Sequence, residues 1–196
     1  VHFYNYDLPT VEEAADYESV AAGGAYDLAA RQILAYGEQE ALAGTKLNWQ
    51  PLFNGQDLSG WVNVNCAPET FSVKDGLIVS TGVPTGVMRT EKQYENFVLE
   101  LDWRHLQPKG NAGLFVWSEA ITARGVPFAR AIEVQILDGR NTAGYTSHGD
   151  IFSIHGSTMT PDRPHPNGSM RCLPSERRCK DSPEWNHYRV ICNNGV

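Results

Sequence analysis

The stretch Ala131-Ile132-Glu133-Val134-Gln135-Ile136-Leu137-Asp138 holds the clearest set of side chains able to do chemistry. Strand alternation sends Ile132, Val134 and Ile136 to one face and Glu133 with Gln135 to the other. By the same count Asp138 would share the isoleucine face, unless it has already left the strand. Asp138-Gly139 is a turn pair, and a turn is expected there. A carboxylate and an amide on one face, with a second carboxylate at the strand mouth, suit sugar hydroxyls, a hard cation or proton transfer. An ordinary strand with a wet polar face has the same pattern, so the surrounding elements must decide between them.

Residues 1–46 are rich in Ala and Glu and poor in β-branched residues, which predicts a helical appendage. Thr10-Val11-Glu12-Glu13 has the form of a capping box. A second helix is expected to carry Tyr26, Ala30, Ile33 and Leu34 as one apolar stripe, and Gly44 can end it. Two such short helices need a surface to dock on, either the next domain or another subunit.

From Leu47 the texture changes to short strands with turn signals. Asn54-Gly55 and Ser59-Gly60 read as turns around Leu52, Phe53 and Trp61. Asp75-Gly76 predicts a tight hairpin between Phe71-Ser72-Val73 and Leu77-Ile78-Val79. Residues 96–105 read as a long strand with Phe97, Leu99, Leu101 and Trp103 on its core face. Gly110-Asn111-Ala112-Gly113 reads as a turn into the strand Leu114-Phe115-Val116-Trp117. These two strands and the one containing Glu133 are expected to stand side by side. Residues 157–184 carry five prolines and predict an irregular surface loop without sheet. Strand texture returns at 185–192, and Asn193-Asn194-Gly195 is a hairpin turn with one residue after it. The sheet is therefore expected to be incomplete at the C-terminus, with a further C-terminal segment or a protein partner completing it.

Composition excludes several functions. The 196 residues carry a formal charge of −7, which argues against nucleic acid or an anionic membrane surface as partner. No apolar run approaches the ~18 residues that cross a membrane. The basic run at residues 171–180 reads as a solvated loop. Cys172 and Cys179 are close enough in sequence to close a small disulfide loop, which together with an even cysteine count leans towards a secreted or periplasmic location. No phosphate-cradling glycine loop, nucleophile elbow or zinc signature occurs, so no organic cofactor is expected.

Five motifs occur in order: residues 52–61, LFNGQDLSGW; Gly110-Asn111-Ala112-Gly113; Glu133-x-Gln135-x-x-Asp138; residues 149–156, GDIFSIHG; and Glu184-Trp185-Asn186-His187-Tyr188-Arg189. Together they resemble the 3-keto-disaccharide hydrolase domain family from about Leu47 to the last residue. The resemblance implies a mainly β fold, a concanavalin A-like jelly-roll sandwich of two antiparallel sheets, with carbohydrate bound on the concave face. Residues 47–196 form that expected domain, and residues 1–46 lie outside it.

The substrate class so implied sets the chemistry required. A ketone at C3 acidifies the C2 proton. A base can remove that proton, and the C1 glycosidic oxygen can leave by elimination before water adds. Such a route asks for a base, a donor or cation at the enolate oxygen, and an acid near the leaving group. Glu133, Asp138, His148 and His155 are the candidate catalytic residues. Gln135, Arg104 and Asn111 are the candidate substrate-binding residues. Glu133 and Asp138 could instead hold one divalent cation with Gln135, Ca²⁺ or Mg²⁺ on oxygen ligands alone, Zn²⁺ or Mn²⁺ if a histidine joins them. Direct hydrolysis by two carboxylates is the competing route. A non-catalytic carbohydrate-binding or assembly module on the same sandwich is the competing function. Plainer roles exist for several of these residues: a turn for His148, a loop hydrogen bond for His155, a cross-strand partner for Arg104 and turn support for Asn111.

Overall fold

Asp75 and Gly76 take φ values of 52° and 73°, the left-handed pair that a two-residue primed turn requires. They join β4 (Phe71–Lys74) to β5 (Leu77–Ser80) with Lys74 opposite Leu77, the hairpin expected from sequence. Upstream, Asn54 Oδ1 accepts the backbone N–H of Gln56 (2.7 Å) and Asp57 (2.9 Å). Asp57 in turn accepts the Ser59 N–H at 2.9 Å, and the Ser59 bonds hold its carboxyl below the ordinary value. Gly55 and Gly60 have φ of 78° and 85°, and the Trp61 indole donates to Leu52 O at 2.8 Å. Both turns thus form where their residue types place them.

The structure is a computed structural model that describes residues 2–4, 49–138, 149–166, 168, 170–176 and 178–192. The remaining strands are β1 (His2–Tyr4), β2 (Gln50–Pro51), β3 (Trp61–Val64), β6 (Val87–Thr90), β7 (Phe97–Trp103), β8 (Asn111–Val116), β9 (Ala131–Leu137), β10 (Ile151–Ile154), β11 (Arg171–Cys172) and β12 (Asn186–Cys192). The protein is mainly β, and every recorded pairing is antiparallel. No helix among the described residues is long and apolar enough to cross a membrane.

The chain divides into two units. One comprises Val1–Gln50, Tyr94–Leu101 and Tyr188–Val196 and carries a sheet in the order β12-β7-β1-β2. Its buried residues include Phe97, Val98, Leu99 and Cys192, and burial pushes the Cys192 thiol up to about 12. Glu100 faces Arg189 across β7 and β12 at 3.9 Å. The other unit comprises Pro51–Gln93 and Asp102–His187. It carries the sheet β11-β10-β9-β8 and the pairs β3-β6 and β4-β5. Its apolar core includes Trp103, Val116, Val134, Ile136 and Cys172.

Several expectations are corrected. His2–Tyr4, assigned to the helical appendage, pairs with β7 as a strand, while the two expected helices lie outside the described residues. Strand β7 pairs with β1 and not with β8, so only β8 and β9 of the three successive strands are neighbours. Asn111 and Gly113 are strand residues, because β8 starts three positions earlier than the turn signal suggested. The proline-rich segment is not free of sheet, since Arg171–Cys172 pairs with β10. Arg171 is buried there, unlike the solvated charge expected of it. No disulfide joins Cys172 to Cys179; the Cys172 thiol donates to Asp162 Oδ1 at 2.9 Å, and burial with that bond raises its pKa.

Candidate functional site

The register of the β8–β11 sheet sorts its residues onto two faces. Pairing sets Leu114 opposite Val134 and Val116 opposite Ile132, and Val134 opposite Ile151, which builds one apolar face. The other face carries a cross-strand row of Phe115, Glu133, Phe152 and Arg171, each opposite the next. A second row sets Gly113 opposite Gln135. Gln135 N–H donates to Asp150 O at 2.9 Å and Gly149 N–H to Gln135 O at 3.1 Å, so Gly149 and Asp150 together oppose Gln135 in a bulge. Gly149 has the φ of 78° that such a bulge asks of its first residue. Asn111 lies beyond, opposite Leu137. The predicted alternation of Glu133 and Gln135 against three apolar neighbours is therefore what the sheet shows.

Glu133 is half-buried between the two phenylalanine positions, and that burial raises its carboxyl pKa. A methyl group at Gly113 would overlap the Glu133 carboxylate, so this carboxylate leans over the glycine backbone. Gln135 is 6% exposed, and its amide Nε2 reaches Asn111 Oδ1 at 3.5 Å. Next to Gln135, Asp150 is fully buried and accepts Arg171 Nε at 2.8 Å together with Arg171 Nη2 on the same oxygen. The Arg171 guanidinium also lies over the Phe152 ring, 5.1 Å from its centroid. The face thus combines one carboxyl of raised basicity, two side-chain amides, two aromatic positions and a sealed ion pair. Such a surface can receive a polyhydroxylated ring and take a proton from it.

The other sequence candidates sit elsewhere. Asp138 lies just past β9, with its carboxylate accepting the Lys109 N–H at 3.0 Å and its N–H donating to Gly110 O at 2.8 Å, and the turn expected at Asp138-Gly139 runs into residues outside the described ones. Asp138 ties the start of β8 to the end of β9. His155 is exposed at φ 49° and stacks on Phe128 (6.0 Å, 24°), and Phe128 meets Phe115 edge-on at 5.9 Å. It therefore connects to the Glu133 row only through two rings. Arg104 lies after β7, over the Trp185 ring at 4.6 Å, on none of the four strands of the Glu133 sheet. His148 is outside the described residues. Among the described residues no three Asp, Glu, His or Cys side chains group so as to hold a metal ion.

Sequence reasoning missed Gly113, Phe115, Phe152, Asp150 and Arg171. The first three follow from extending the alternation through Asn111, Gly113 and Phe115 and pairing it with Phe152. The Asp150–Arg171 pair had only a faint signal, an Asp-Ile junction entering an apolar run.

A family model described as the 3-keto-alpha-glucoside-1,2-lyase-like domain matches residues 48–196. No curated protein matches the chain.

Proposed function

The chain belongs to the 3-keto-alpha-glucoside-1,2-lyase-like family through residues 48–196, and from this premise we propose that it cleaves the glycosidic bond of a 3-keto sugar by elimination. The observation that carries the proposal is the half-buried Glu133 carboxyl, of raised pKa, on a sheet face shared with Gln135 and Asn111. Burial disfavours its charged form, which makes the carboxylate a stronger base once ionised. For the domain as a whole we propose the concanavalin A-like jelly roll that the family resemblance implies.

In this mechanism the Glu133 carboxylate takes the C2 proton, and the C2–H electron pair moves into an enolate whose charge rests on the C3 oxygen. Collapse of the enolate forms the C1=C2 bond, breaks the C1–O bond and restores the C3 ketone. The departing oxygen takes a proton, and water then adds across C1=C2. The amides of Gln135 and Asn111 bind the sugar oxygens, and a donor fixed at the C3 oxygen lowers the barrier because charge develops there. His148 and His155 are our candidates for protonating the leaving oxygen. Direct hydrolysis needs two carboxyls facing the substrate. On this face Asp150 is committed to Arg171, which favours elimination. A divalent cation here would draw on Glu133 with the amide oxygens of Gln135 and Asn111. Asp138 would join such a set only through the carboxylate oxygen that does not accept the Lys109 backbone N–H.

The test is mass-spectrometric product detection from a 3-keto glycoside and its unoxidised parent, with and without a chelator. Release from the keto substrate alone is expected. Activity lost on chelation and restored by one cation would add the metal. Sugar binding without turnover of either compound would turn the assignment to a binding module.

A further inference from the structure

A glycine inside a strand weakens it and needs a reason, either a backbone angle or a close approach. Gly113 is the third residue of β8 and is absent from the positive-φ glycines, so conformation supplies no reason. Space does. The three atoms nearest to a methyl built at position 113 all belong to Glu133, its Oε1, Cδ and Cγ, and all lie far inside contact distance. Gly113 is itself exposed, so its close neighbour is the Glu133 side chain and not a packed apolar core.

We propose that Gly113 is the positioning residue of the site, its missing side chain forming the seat that holds the Glu133 carboxylate against the β8 backbone, where it meets the C2 hydrogen. This rests on the elimination reaction assigned to Glu133. A methyl at 113 would overlap Oε1, Cδ and Cγ of Glu133, so the carboxylate must leave that seat, and being half-buried it can turn outwards towards solvent. The base then loses both its place and the burial that strengthens it.

The test is Gly113→Ala. Displacement of a reacting group by about 1 Å costs on the order of 10²-fold in rate, so kcat should fall by that factor with KM unchanged. Carboxyl ¹³C NMR should show the Glu133 pKa falling towards the ordinary carboxylate value, a change that a merely structural glycine would not cause. Glu133→Asp shortens the side chain by one methylene, so activity of G113A/E133D should exceed the product of the two single effects. If G113A unfolds, thermal melts of E133A and G113A/E133A decide, since removing the carboxylate should remove the cost of the alanine. Wild-type kcat and an unmoved Glu133 titration in G113A would overturn the proposal. If the wild-type protein leaves keto glycosides untouched, the reaction falls, while the titration still decides what Gly113 does.

Discussion

Arg171 donates both Nε and Nη2 to a single carboxylate oxygen of Asp150, a side chain with no solvent exposure. The two residues are 21 positions apart, and their pairing fixes the two-residue strand β11 against β10 beside the candidate site. Breaking one half of a buried pair strands the other charge, at a cost of about 3–5 kcal/mol, whereas apolar replacement of both halves is often neutral. Arg171→Met should therefore lose stability of that order in urea unfolding, and Asp150→Leu/Arg171→Met should recover most of it. A single substitution costing under about 1 kcal/mol would show that the pair is wetter than its burial implies.

Glu133 links activity and stability to pH. Its folded-state pKa is raised above 4.5 by burial. Below the unfolded value the carboxyl is protonated in both states and the charge costs nothing. As pH rises through the folded value, the native state must ionise a half-buried group, and relative stability is lost. Glu133→Gln should thus match the wild-type protein at low pH and gain on it towards neutral pH in thermal melts. In the wild-type protein kcat should fall on the acid side as the base becomes protonated, with a midpoint above the ordinary carboxyl value. Equal stability of the two proteins at every pH would mean that the carboxyl is better solvated than its position suggests.

The Asp75-Gly76 turn isolates a purely conformational effect. A methyl at Gly76 meets only Gly55 O at 3.9 Å, so its cost comes from φ alone. Gly76→Ala should lose about 1–2 kcal/mol, with Gly76→Asn losing less because asparagine tolerates the left-handed region. Catalytic constants should not change. Denaturant midpoints measure the loss, and an unchanged midpoint for the alanine variant would contradict the primed turn.

Local chemistry was legible in the sequence, and distant pairing was not. The period of two placed Glu133 and Gln135 opposite to Ile132, Val134 and Ile136, and turn chemistry placed Asp75-Gly76 and the loop at Asn54. What failed depends on partners far along the chain. Nothing near residue 97 says that β7 pairs with β1 and β12 and not with β8. Nothing near Arg171, set among prolines and other cations, says that a buried carboxylate waits at position 150. Arg104 and Asn111 were both expected to bind substrate; Asn111, part of the Gly110–Gly113 motif, is carried by β8 to the Glu133 sheet, while Arg104, which belongs to none of the five motifs, lies over Trp185.

The central claim is that Glu133 removes the C2 proton of a 3-keto glycoside. The most direct measurement is turnover in D₂O with NMR analysis of the released keto sugar, comparing the wild-type protein with Glu133→Gln. Elimination followed by addition of water leaves solvent deuterium at C2 of the wild-type product, and the Gln variant should release no product while remaining folded. Product carrying the original protium at C2, or full turnover by the Gln variant, would contradict it.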